Sequence, residues 1–345
     1  MKYAYIDLLR IFCTFCIVVW HCSSISYHFS PHDSVLSATL LKTLWQSCGF
    51  AVPVFVMITG FLLLSPSKEI SCRKILDKYV LRVLVVLLSF GSIYTWLEVA
   101  FDERAITLSQ VPVVICKLVS GDTWDHLWYL YMLTGLYLIL PLCKVFIRNS
   151  SKTELYFILT VLALFSLIVP FVEKLSSLHI GLTLPLRSEF LFYLLWGYAI
   201  GTVHVTKRSF LISIVLLVIT ILGYFLFFFI QEHYGSFAFS EKFSTAGNSP
   251  FTALVSTCVF LIFSYKKDAA RNLFARTAKW ATISDCTFGI YIIHPLFLNI
   301  FTKLLHINPM GYGLLSFSAM ILTAFGLSFA ATFSLKKVPT FGRYI

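Results

Sequence analysis

The stretch YIDLLRIFCTFCIVVWHCSS, Tyr5 to Ser24, is an apolar run of the length a helix needs to cross a bilayer, yet it carries Asp7, Arg10 and His21. Ionisable groups at membrane depth are retained for a reason. Arg10 and His21 are eleven residues apart. At about 100° and 1.5 Å per residue, that spacing is three turns plus roughly 20°, so both side chains share one face about 16 Å apart along the axis. Asp7 precedes Arg10 at the i, i+3 spacing where an acid pairs with and orients a guanidinium. The pattern describes a polar track on a membrane helix. The run is too long for a signal peptide and lacks a small-residue cleavage site, so it is read as a retained helix.

The rest of the chain agrees. Of 345 residues, 58% are hydrophobic and 12% charged, and the mean hydropathy of +0.84 is far above that of a soluble globule. Ten segments are long enough to span. They are Tyr5 to Ser26, Leu41 to Leu64, Tyr79 to Ala100, Leu127 to Ile147, Leu155 to Val172, Phe190 to Val203, Phe210 to Ile230, Phe251 to Tyr265, Ile283 to Phe301 and Leu314 to Leu335. The sixth reaches spanning length only if Arg187 and Glu189 dip into the outer interface. The expected fold is therefore an all-α polytopic membrane protein of about ten helices, forming one membrane domain, 1–345, with no appended soluble domain. The longer outer loops, around Phe101 to His126 and Gln231 to Pro250, are placed to cover an outward cavity.

With the amino terminus in the cytoplasm, 20 of the 27 basic residues fall on inner segments and 7 on outer ones, Lys42 among the latter. Both termini are then cytoplasmic. The net charge of +11 reads as topology and affinity for anionic lipid or ligand, and needs no nucleic acid. The nine cysteines imply no disulfide framework. Cys13 and Cys16 form a CxxC but lack accompanying ligands, so they read as core and no metal is expected.

This orientation sorts the polar residues. Arg73, Lys74, Lys78 and Arg82 occupy the inner loop and the start of the third span, where they form either a phosphate cradle or a positive-inside signal. Arg82 is singled out because it lies inside the apolar run. In the outer half are His126, Trp128 and Tyr129 of DHLWYLYM, and His294 of GIYIIHPLF. The aromatics either belong to an interfacial belt or stack on a sugar ring. His294 either satisfies the kink at Pro295 or takes part in chemistry. His21 is the candidate general base, a role that requires a neutral imidazole, the form that desolvation favours. Cys22 is a possible nucleophile for a covalent route, but it points about 100° away from its neighbour. Gly60, and Gly197 with Gly201 at GxxxG spacing, read as points of close helix packing.

The residues together resemble acyltransferase family 3, the integral membrane O-acyltransferases, over nearly the whole length. Arg10 and His21 in DLLR and VVWH match the Arg, ten residues, His of the family's first helix. PVFVMITGFLL resembles its Ser-Gly-Phe motif, with Thr59 in place of Ser. RKILDKYVLR resembles its basic inner loop, although the tight Arg-x-x-Arg form is not kept. HLWYL and SDCTFGIYIIHPLF resemble two further signatures. The resemblance, nearest to the short stand-alone bacterial variety that includes acetylation of enterobacterial common antigen, implies a multi-pass protein of the bacterial inner membrane. That protein would move an acyl group, commonly acetyl from acetyl-CoA as co-substrate, to a hydroxyl of a glycan or lipid-linked saccharide, with no tightly bound cofactor. His21, Arg10 and Asp7 would be catalytic, Arg73, Lys74 and Arg82 would hold the CoA phosphates, and His126, Trp128, Tyr129 and His294 would bind the acceptor. The alternative is a secondary transporter or flippase of a lipid-linked sugar, which would show paired inverted repeats; none is evident.

Overall fold

The computed structural model describes residues 3–29, 34–103, 107–176, 179–181, 189–235, 249–265, 279–339 and 341–345, and every regular element among them is a helix. The first group comprises α1 (Ala4–Phe29), α2 (Val35–Cys48), α3 (Ala51–Leu63), α4 (Leu81–Glu103), α5 (Val111–Ser120) and α6 (Trp128–Asn149). α7 (Lys152–Ser176) follows, with a π-helical stretch at Leu164–Ile168. The remainder are α8 (Glu189–Gly201), α9 (Lys207–Tyr234), α10 (Pro250–Tyr265), α11 (Lys279–Asn299) and α12 (Leu314–Leu335). Among the described residues, eight helical stretches are long and apolar enough to cross a membrane. The chain is an all-α polytopic membrane protein.

All ten expected segments have helical counterparts, with two departures of physical origin. The second segment starts at Val35 rather than Leu41, because Ser34 caps it and accepts a hydrogen bond from the Ser37 amide, and it breaks at Gly49 and Phe50 into α2 and α3. Lys42 thus lies one to two turns inside a helix, not at its mouth. The expected loop Phe101 to His126 contains α5. A capping box between Thr107 and Gln110 starts this helix, proline occupies its first turn, and Gly121, with φ +79°, ends it in the left-handed region. Arg187, the basic residues Lys266, Lys267, Arg271 and Arg276, and most of the loop 231–250 lie outside the described residues.

The chain divides into two compact units, Met1–Ser65 with Asn149–Phe329, and Pro66–Arg148 with Ala330–Ile345. In the first, α1 packs on α2 and α11, and Val18, Cys22, Leu41, Cys286, Ile290 and Phe317 are among the buried residues of one apolar cluster. Lipid tails are as apolar as leucine, so helix association in a bilayer depends on close contact. α3 and α8 supply it: a Cβ at Gly60 would land on the Leu194 backbone, and one at Gly197 on the Met57 backbone. Glycine permits the two main chains to touch there. In the second unit, α4 packs on α5, Tyr94 stacks on Trp124 at 4.5 Å, and Trp96 Nε1 donates to Gln110 Oε1 at 3.0 Å.

Candidate active site

The sequence candidates of the first unit gather at two places along the seam between α1 and α11. Near the start of both helices Asp7, 4% exposed, accepts a hydrogen bond at Oδ1 from the hydroxyl of buried Ser284 at 2.9 Å. Arg10 Nη1 lies 3.6 Å from the same oxygen, and its side chain is 35% exposed. The carboxylate is therefore fixed from α11 and in turn fixes the guanidinium, whose outer part remains accessible. Asp7 Oδ2 is buried and has no hydrogen-bond partner among the described residues.

Further along the seam, the rings of His21 and His294 lie 5.0 Å apart, tilted by 59°. His294 is fully buried, and its Nδ1 is 3.1 Å from the carbonyl oxygen of Ile290, one turn back. A carbonyl only accepts, so Nδ1 carries the proton in this contact and the ring orientation is set by its own helix. His21 is partly exposed, with Trp20 edge-on at 4.7 Å on its other neighbour position. The structure thus joins His294 to His21. Cys22, the alternative nucleophile, is fully buried in the apolar cluster, and Cys13 and Cys16 are buried free thiols.

The remaining sequence candidates belong to the second unit. Arg73 is paired with Asp77 at 3.3 Å within its own helical turn, with the two side chains 91% and 66% exposed, and Lys74 is exposed. Arg82 is half-buried: its Nε donates to the Tyr344 carbonyl at 2.8 Å and its Nη2 to the main-chain oxygen of Ile345 at 3.0 Å. A guanidinium has five N–H donors, and two of these are spent on the chain's own backbone. His126, Trp128 and Tyr129 do not form one open surface. His126 is 3% exposed beside Tyr94 and Trp124, Tyr129 is 7% exposed, and Trp128 alone of the three is exposed.

A family model described as an acyltransferase domain matches residues 3–335. The chain belongs to acyltransferase family 3. No curated protein and no solved structure matches it. As a family 3 member it is a membrane acyltransferase, and the α1–α11 seam brings together two imidazoles and an accessible guanidinium held by an acid. Ser284 is the member of this group that sequence reasoning missed. It stands in the SDCTFG segment already singled out, but nothing in that segment names Asp7 as its partner.

Proposed function

We propose that this family 3 chain transfers an acetyl group from acetyl-CoA to a hydroxyl of a cell-surface glycan or lipid-linked saccharide at the bacterial inner membrane, with His21 as general base. The observation that carries this reading is the α1 helix itself, on which Arg10, held by Asp7, and His21, beside His294, stand on one face about three turns apart. In the first unit the thioester end of the donor lies along the Arg10 to His21 stripe; in the second, Arg73, Lys74 and Arg82 are basic groups of the kind that bind phosphate. His21 takes the proton of the acceptor hydroxyl as its oxygen attacks the thioester carbonyl carbon. The C–S bond then breaks, and the proton passes to the departing thiolate, giving the ester and free CoA. His294 orients the hydroxyl beside His21.

The test is purified protein in nanodiscs with radiolabelled acetyl-CoA and a pooled glycolipid extract, scored by free CoA and by labelled lipid for wild type and His21→Ala. Acceptor-dependent release that His21→Ala loses, with acetyl-CoA binding retained, is the expected result. Equal turnover by the two proteins removes His21 as the base, and failure of the wild type to bind or consume acetyl-CoA removes the donor.

A further inference from the structure

Two charged residues of the first unit lie outside the seam yet inside membrane-length helices. Lys42 of α2 and Glu232 of α9 meet with Nζ 2.5 Å from Oε1, and their side chains are only 14% and 16% exposed. The Tyr27 hydroxyl, near the end of α1, donates to the same Oε1 at 3.2 Å, and the Lys42 ammonium sits 4.7 Å from the Tyr27 ring centroid. Withdrawing two charges from water seldom adds stability over an apolar pair of similar size, and intramembrane ionisable groups mark binding or transport sites by default. A tie between α1, α2 and α9 does not need them, since the glycine contact of α3 with α8 achieves close packing without charge.

The position of the pair is informative. Aromatic contacts lead from it back along α1 to the candidate base: Tyr27 to Trp45 at 6.5 Å, Trp45 to Trp20 edge-on at 5.7 Å, and Trp20 to His21 at 4.7 Å. Tyr27, Trp45 and Trp20 are each partly exposed. Aromatic surfaces suit the apolar C–H face of a pyranose ring, a carboxylate accepts from its hydroxyls, and an ammonium donates to them. Paired, the two charges cancel, so the group favours a polyhydroxylated ligand over an anion.

We propose that Trp20, Tyr27, Lys42, Trp45 and Glu232 form a sugar subsite that holds a pyranose ring of the acceptor and presents a hydroxyl toward His21. The fate of that hydroxyl rests on the acyl-transfer reading above, whereas binding of the ring does not.

The experiment keeps these two apart. Octyl glucoside, octyl N-acetylglucosaminide and octyl glucuronide, each below its micellar concentration, are titrated by calorimetry into full-length protein in nanodiscs, and glycoside-dependent CoA release from acetyl-CoA is measured in parallel. Wild type and His21→Ala are expected to bind at least one glycoside equally, Trp45→Ala and Glu232→Gln to weaken it by about tenfold, and Trp45→Phe to stay within about threefold. Glu232→Gln preserves size and one acceptor oxygen while replacing the other by an N–H donor, so it separates loss of the charge from loss of the fold. Binding unchanged in both Trp45→Ala and Glu232→Gln, or no glycoside bound by the wild type, overturns the subsite. Binding that follows the expected order without any CoA release leaves the subsite standing and overturns the transfer reaction.

Discussion

The α1–α11 seam and the basic stretch from Ser71 to Arg82 hold ionisable groups of the same kinds, but under opposite conditions. In the seam, Asp7 is buried and is reached by Ser284 from 277 residues away, while His294 is buried beside His21. In the basic stretch, Arg73 is exposed and finds its acid within its own helical turn. Burial makes a charge expensive, so the buried Asp7 is supported from a second helix by Ser284; exposure lets a charge stand with little support. A buried ionisable group therefore says much about function, and an exposed one mainly reports topology.

Substitutions that remove support sharpen this contrast. His21→Ala is expected to have the largest effect, a loss of roughly 10²–10⁴ in kcat, the range a positioned general base supplies. Acetyl-CoA binding by the same variant, measured by calorimetry, should stay near wild type; its loss would instead tie His21 to the donor. Ser284→Ala comes next. It leaves Asp7 Oδ1 with Arg10 alone in a buried place, and should lower the apparent melting temperature by the equivalent of about 1–2 kcal/mol. The KM for acetyl-CoA should rise as Arg10 loses its fixed acid, with kcat less affected, and Ser284→Thr should recover most of the loss. A change in kcat alone would place Ser284 outside the arrangement that steadies Arg10.

The same contrast governs how much was legible in the sequence. Asp7, Arg10 and His21 could be placed on one face because an α-helix has a fixed period, and the Asp7–Arg10 pair forms at the i, i+3 spacing that this period implies. Gly60 and Gly197 could be read as packing points, but their partners, Leu194 and Met57, are set by which helices meet. Lys42 counts only toward topology in the sequence, because the apolar run begins at Leu41; the helix itself starts at Val35, capped by Ser34 in a polar stretch. α5 was hidden for a related reason: VPVVICKLVS is ten residues, too short to declare itself by length, and its boundaries are set by the Thr107–Gln110 capping box and Gly121. Ser284 and the Arg82 partners were out of reach, since contacts across 277 and 262 residues leave no local periodic trace.

Arg82 and Arg73 test the other half of the contrast, with smaller effects. Arg82→Lys replaces a fork that meets two main-chain oxygens by a point charge that meets one well, so melting should fall by the equivalent of about 1 kcal/mol. Arg73→Ala should change stability by no more than about 0.5 kcal/mol, since a solvent-exposed i, i+4 pair is screened and loses side-chain freedom to form. Its informative readout is the KM for acetyl-CoA at low and high salt. If Arg73 contacts CoA phosphate, KM rises in the variant and the difference shrinks as salt screens the charge. A variant indistinguishable from wild type at every ionic strength would assign Arg73 to membrane orientation alone, and would leave donor recognition to Lys74 and to the half-buried Arg82.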